Sequence, residues 1–260
     1  NIRGLCYLSK QRRTGYLELP SFEAVSSDKD AFVRMFHLFY EHSDSVTAKG
    51  LLQRQDSRFL VQNPLALPLR QEELDDVHAL PFMNDVHPFY GQQGPVKALE
   101  TIQFSILTHR GCYGECSFCS IAVHQGRIVQ WRSEASILDE ARRLVVHPKF
   151  KGYISDVGGP TANMYGFECS RKLEKGSCRR KRCLFPQVCN RLPVNHDRQR
   201  LFLSKLRRIS GVKKVFVASG LRYDLLLYDG QNGPAYLEEI IDHHISGQLK
   251  VAPEHTVEHI

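Results

Sequence analysis

The sequence predicts an α/β protein: a partial parallel βα barrel with an N-terminal lead-in and a cysteine-rich insert. Three observations carry this. From residue 101 onward, apolar strand-like runs alternate with stretches of helical periodicity, the pattern of parallel βα units. The polar phrases with chemical potential each follow the end of one of those strands, where βα folds place their chemistry. The 8 cysteines are grouped: Cys6 stands alone, three crowd residues 112–119, and four lie between 169 and 189.

Taken in order, residues 1–57 read as the end of an upstream domain. Phe32, Met35, Phe36 and Phe39 recur at helical spacing, and Asp28 and Asp30 suit the start of that helix. Residues 58–100 form the lead-in. Arg58–Gln62 reads as a strand stopped by Asn63–Pro64, and a proline-punctuated stretch to Gly94 holds a short helix near Glu72–His78. The barrel portion spans 101–260, with the insert at 160–196. Its strands are expected at Thr101–Thr108, Gly152–Val157, Lys213–Ala218 and Gln248–Ala252. Ser133 can cap a helix whose apolar stripe is Ile137, Leu138, Ala141, Leu144 and Val145. Asp197–Ile209 reads as the next helix, and Tyr236, Leu237, Ile240, Ile241 and His244 stripe another. A complete eight-unit barrel takes roughly 250 residues, so this one is incomplete. The chain begins at Asn1 and ends at Ile260 directly after a motif-like phrase, and both ends read as cuts inside a longer protein.

Composition is that of an ordinary globular protein, 42% hydrophobic with a net charge of +7. No apolar run approaches the roughly 20 residues needed to span a bilayer, and the polar, basic stretch 1–20 does not resemble a secretory signal. Clustered cysteines point to metal and a reducing compartment, hence the cytoplasm. The positive charge is local: Arg171, Lys172, Lys175, Arg179, Arg180, Lys181 and Arg182 face one acid, Glu174, and supply nearly all of the excess. Such a run is either a solvated loop or a surface for phosphate or RNA, and it lacks the interleaved aromatics that stack bases.

Cys112, Cys116 and Cys119 have the spacing C-x3-C-x2-C in Arg110-Gly-Cys-Tyr-Gly-Glu-Cys-Ser-Phe-Cys-Ser120. Three thiolates so close can hold one 4Fe–4S cluster and leave one iron without a cysteine, open to a ligand. A structural zinc site would require a fourth ligand, and ferredoxin-type binding a different spacing and a distant fourth cysteine.

This phrase, C-x3-C-x-aromatic-C after a first strand, is the signature of radical S-adenosylmethionine (SAM) enzymes, which the chain therefore resembles. More of it resembles one branch, the YgiQ-type radical SAM family. The phrases are IQFSILTHRGCYGECSFCSI (102–121), HQGRIVQWRSEASIL (124–138), ISDVGGPTANMYG (154–166), VKKVFVASGLRYDLL (212–226) and LKVAPEHT (249–256). The resemblance implies a barrel of radical SAM type, and an enzyme in which SAM chelates the open iron, is cleaved by one electron and abstracts hydrogen from a substrate. It implies an electron donor such as flavodoxin or ferredoxin. It puts Phe118 near the adenine and Gly158–Gly159 at the methionyl amine. The family's usual Gly-Gly-Glu is here Gly-Gly-Pro160, so that carboxylate contact is absent.

Ser219 and Arg222 follow the third strand and suit a carboxylate or ribose hydroxyls; they read equally as a helix cap and a surface salt bridge. Glu254 follows the fourth strand and can accept from the ribose or the SAM amine, and His255 beside it reads either as a substrate contact or as a structural residue. Cys169, Cys178, Cys183 and Cys189 are numerous enough for zinc or a second iron–sulfur cluster, at a spacing that matches no common zinc pattern, with His196 as a spare ligand. A basic loop of this length needs a staple to fold. The substrate is not legible; the insert would suit an acidic substrate or RNA. The rival to a radical SAM enzyme is a non-catalytic iron–sulfur protein for electron transfer or RNA binding, and a methylthio- or methyl-transferring enzyme acting on tRNA is a third reading.

Overall fold

The computed structural model describes residues 2–251, 253, 254 and 257. The chain forms two compact units, each assembled from three segments. The first comprises Asn1–Pro68, Tyr113–Ile128 and Cys169–Arg182; the second comprises Leu69–Cys112, Val129–Glu168 and Cys183–Ile260.

In chain order, β1 (Cys6–Ser9), β2 (Leu17–Leu19), α1 (Phe22–Ser27), α2 (Lys29–Glu41), β3 (Leu51–Gln55) and β4 (Arg58–Gln62) come first. α3 (Gln71–Ala79), α4 (Leu99–Ile102), β5 (Ser105–Leu107) and β6 (His109–Arg110) follow, then α5 (Ile121–His124), β7 (Gln130–Trp131) and α6 (Glu134–Val145). β8 (Tyr153–Ile154), β9 (Asp156–Gly158), α7 (Ser170–Lys175), α8 (Asp197–Arg207), β10 (Lys214–Val215), α9 (Tyr223–Tyr228) and α10 (Gly233–His243) complete the order.

The first unit holds a four-stranded sheet in the order β1-β4-β3-β2. β4 pairs antiparallel with both neighbours, so Val61 lies opposite Tyr7 on one side and Leu52 on the other. β2 joins β3 in parallel. Leu51, Leu52 and Val61 are buried. Of this sheet, the sequence pattern predicts only β4, at its observed bounds. The helix expected around Phe32–Phe39 is α2, capped by the Asp28 carboxylate accepting from the Asp30 amide at 2.9 Å. Its buried residue is Ala31, and Phe32 and Phe36 of the expected stripe are exposed. Met35 and Phe39 of that stripe are half-buried, as is Tyr40, one turn beyond Phe36 and stacked on it at 5.9 Å.

The second unit is built on short parallel strands. β5 pairs with β9, and β8 with β10. The extended segment 153–158 bonds to both neighbours in turn: the Ser155 amide donates to Phe104 at 3.1 Å and the Val157 amide to Phe216 at 2.9 Å. Leu221 bridges Val251 in parallel. Helices cover this arrangement, and α6, α8 and α10 bury Ile137, Leu144, Leu203, Leu206, Tyr236 and Ile240 against Ile106, Ile154 and Val157. α6 starts where expected, with the Ser133 hydroxyl accepting from the Ser136 amide at 3.1 Å.

The strands are shorter than expected. Thr101 and Ile102 belong to α4, because the Gln103 amide closes a helical turn on Leu99 at 2.8 Å and its side chain is tied to Asn84. α8 stops at Arg207 in a turn that returns the Ile209 amide to Leu206. Of the fourth expected strand, Val251 makes the bridge, and Ala252 lies outside the described residues. The fold is thus mixed α/β with small sheets. No described helix is long and apolar enough to cross a membrane.

Candidate functional site

In the second unit, Cys112 and Arg222 meet one buried segment, Thr161–Met164, which Gly158, Gly159 and Ser219 adjoin. Cys112 Sγ lies 3.8 Å from Thr161 Oγ1 and 3.9 Å from Met164 Sδ. The Ala162 amide donates to Gly220 at 3.0 Å, between Ser219 and Leu221. Asn163 receives the Arg222 amide at 2.8 Å and donates to the Arg222 carbonyl at 3.0 Å. Gly158 and Gly159 lead directly into this segment, and the Gly158 carbonyl accepts the Thr108 amide at 2.7 Å. Gly159 has no room for a side chain, since a Cβ there would fall 2.6 Å from His109 Nε2 and 2.7 Å from the His109 carbonyl. The sequence reading places Thr161–Met164 inside the insert and misses this role; its uncharged TANM run after Gly-Gly-Pro is the available signal.

The polar partners are mostly committed. The Ser219 hydroxyl donates to Asp156 Oδ2 at 2.6 Å, and the Ala218 amide donates to Oδ1 at 2.8 Å. Asp156, the polar residue of its strand, therefore shapes the third strand's end. The Arg222 guanidinium grips Asp224 through Nε at 2.9 Å and through Nη2. Glu254 is exposed, in left-handed backbone at φ 60°. His255 lies outside the described residues.

His196, the suggested spare metal ligand, is instead buried in a network. Its Nδ1 meets Asp229 at 2.8 Å and its Nε2 meets Asn163 at 3.1 Å. Because the Asn163 oxygen is taken by the Arg222 amide, its amide nitrogen donates to Nε2, and the proton sits on Nδ1 facing Asp229. Burial lowers the His196 pKa, and Asp229 offsets only part of that.

In the first unit, the Cys119 amide donates to the Cys116 carbonyl at 3.0 Å and closes a tight turn. Phe118 projects from that turn with 69% of its surface exposed. Tyr113 is fully buried, and its hydroxyl accepts the Cys169 amide at 3.3 Å. Glu115 is also buried. Arg127 donates to its Oε2 from Nε at 3.0 Å and Nη2 at 2.7 Å, Tyr40 donates to Oε2 at 2.6 Å, and Lys172 donates to Oε1 at 3.1 Å. Burial alone would raise the Glu115 pKa, but Lys172 and Arg127 hold it below the usual carboxylate range. Burial, then the Glu115 carboxylate, pushes the Tyr40 phenol up to about 12. Nothing in the cysteine spacing announces this cluster.

All eight cysteines are thiols; Cys112, Cys116 and Cys119 are half-buried. Among the described residues, no three His, Cys, Asp or Glu side chains are grouped to hold a single metal ion. A four-iron cubane is ligated iron by iron, so its thiolates need not meet at one point. The fit to such a cluster is one of donor chemistry: three soft thiolate donors in one loop whose backbone is left-handed at Gly111 and Glu115. In the second cysteine group, Cys169 and Cys178 belong to the first unit and Cys183 and Cys189 to the second. Cys178 Sγ accepts from Arg171 at 3.0 Å, and the Cys189 amide donates to the Cys183 carbonyl at 2.7 Å.

Residues 1–105 match the family model described as radical SAM N-terminal. The chain is 53% identical over 260 residues to a UPF0313 protein of Fusobacterium nucleatum, covering 100% of this chain and 46% of that protein. It is 46% identical over 257 residues to a UPF0313 protein of Clostridium botulinum, covering 98% and 40%. It is 48% identical over 259 residues to one of Methanocella arvoryzae, covering 98% and 42%. The chain thus spans less than half the length of these curated relatives.

Proposed function

Since the chain belongs to the YgiQ-type radical SAM family, we propose that it is part of an enzyme that binds a 4Fe–4S cluster and SAM and abstracts hydrogen from a substrate. The observation that carries this is the cysteine loop after β6, three thiols in C-x3-C-x2-C spacing with an exposed aromatic ring before the third. Cys112, Cys116 and Cys119 would hold the cluster. When bound, cluster and SAM supply one-electron cleavage of the sulfonium and a strong hydrogen-abstracting species.

This chain's own residues bind and orient. The exposed Phe118 ring offers an apolar face to an adenine. Gly158 and Gly159 offer backbone groups to the methionyl amine, and Pro160 leaves that contact to carbonyls. Ser219 donates to Asp156 and retains lone pairs to accept from a ribose hydroxyl. Arg222 must loosen from Asp224 to meet a carboxylate. Glu254 would accept from the ribose or the amine. We read residues 101–260 as an incomplete βα barrel of radical SAM type with its insert at 160–196, residues 1–57 as the end of an upstream domain and 58–100 as the lead-in. We place the protein in the cytoplasm, served by a flavodoxin or ferredoxin. Arg179, Arg180, Lys181 and Arg182, exposed in the insert, suit an acidic or RNA substrate.

The test uses full-length protein, reconstituted anaerobically, with dithionite and SAM. Release of 5′-deoxyadenosine and methionine is expected. An iron–sulfur EPR signal that SAM leaves unchanged, with no nucleoside released, sinks this reading in favour of an electron-transfer or RNA-binding protein. Iron counts in a Cys112/Cys116/Cys119 triple alanine variant should fall by four per chain, the content of one cubane. Any metal that remains is what Cys169, Cys178, Cys183 and Cys189 hold, by our reading zinc or a second cluster.

A further inference from the structure

Between Cys112 and Cys116 the cysteine loop carries a buried carboxylate that no ligand role explains. Glu115 sits in left-handed backbone at φ 49°, a conformation that glycine adopts at much lower cost. The side chain repays that cost through four hydrogen bonds from Arg127, Lys172 and Tyr40. Those partners come from three places: Tyr40 from α2, Arg127 from beyond α5, and Lys172 from α7 in the insert. Lys172 also donates to the Arg127 carbonyl at 2.9 Å and lies 5.1 Å from the centre of the Tyr113 ring, while Arg127 lies 4.6 Å from the centre of the Tyr40 ring. Both cations are buried, and Glu115 is the carboxylate that neutralises them. Without it, two unscreened positive charges would face each other in the interior, and the cheapest relief is for the loop or α7 to open.

We infer that Glu115 is a positioning residue: it pins the cysteine loop to α2 and to the insert helix α7, and so sets the placement of Cys116 and Cys119. This rests on the reading of those cysteines as cluster ligands. It gives the insert a job distinct from contacting substrate, since Lys172 anchors the loop while Arg179–Arg182 remain exposed. It also gives the upstream residues a direct part in cluster binding through Tyr40.

The experiment compares full-length wild type with E115Q, Y40F and E115Q/K172M. In cluster-free protein, amide hydrogen exchange over residues 113–128 is expected to be at least about tenfold faster in E115Q, with a smaller acceleration in Y40F and little change over 183–260. E115Q/K172M keeps the net charge of the wild-type group and should recover most of the protection. After reconstitution, E115Q should lose iron to a chelator about tenfold faster than wild type, with the double variant again intermediate. Equal exchange over 113–128 in wild type and E115Q overturns the inference. So does acceleration spread evenly over the chain, which would mark Glu115 as merely stabilising. If E115Q does not fold, unchanged exchange in Y40F overturns it. Wild type that binds no iron, alongside a faster-exchanging E115Q loop, would instead overturn the cluster reading and with it the ligand-placing half of the inference, leaving the pin itself supported.

Discussion

Arg132 has no exposed side-chain surface, and it spends its guanidinium on the Leu107 carbonyl at 2.9 Å, the Ser136 carbonyl at 3.0 Å, the Ser136 hydroxyl and the Glu140 carboxylate. It thereby ties the end of β5 to the first turns of α6. Replacing it with methionine leaves a largely buried carboxylate unpaired, so R132M is expected to cost about 3–5 kcal/mol in urea unfolding. His109 makes a different prediction. Burial depresses its pKa to about 4, against an ordinary value of 6.5, and the Thr161 backbone opposes only part of that shift. The unfolded chain therefore binds a proton that the folded one refuses. The stability linked to His109 is fully present above pH 6.5 and is lost as pH falls from there toward 4, in total about 3 kcal/mol. Urea midpoints at pH 7.5 and 4.5 should converge in H109Q relative to wild type; an unchanged gap would show that His109 does not set it.

At the scale of elements, what could be read in the sequence was what is local. Ser133 before an apolar stripe gave the start of α6, and Arg58–Gln62 gave β4, because a cap and a short apolar run stopped by Asn63–Pro64 need no partner to be recognised. β1, β2 and β3 were not legible. They are three to five residues long, and β1 and β3 exist because Cys6 and Leu51 both lie opposite Gln62, a pairing between distant residues that no local pattern records. The apolar residues of α2 set its period correctly and its buried face in part: Met35 and Phe39 are half-buried with Tyr40, while Phe32 and Phe36 are exposed and small Ala31 is the buried one. Where helices meet the strands the packing is close. Leu206 has no exposed surface, and L206A is expected to destabilise by about 2–5 kcal/mol, measurable as a lowered urea midpoint. A cost below about 1 kcal/mol would mean that α8 can shift to fill the void.

For the whole molecule, the candidate site was legible as chemistry and illegible as support. The thiols, the paired glycines and Ser219 could be proposed from their places after strands, because ligand chemistry restricts residue type, and they stand as candidates. Asp156, Asn163 and Glu115 could not, since each works through partners 62, 59 and 57 residues away. The insert divides the same way. Lys172 is buried, while Arg179, Arg180 and Arg182 are exposed. Neutralising those three arginines together should leave the thermal midpoint within about 2 °C, as surface changes do. It should also weaken binding to a single-stranded RNA probe by at least about tenfold at low salt; unchanged RNA affinity would remove nucleic acid from the candidates. The first unit also has a consequence for biosynthesis. Its last segment, Cys169–Arg182, leaves the ribosome about a hundred residues after Pro68. At roughly 5–20 residues per second, the emerging polypeptide spends several seconds with its N-terminal portion made and its closing helix still untranslated. During that interval Glu115 has no Lys172 to meet, so under the proposed cluster reading metallation before the insert is translated would act on an unanchored loop, and iron delivery would be best timed to follow it.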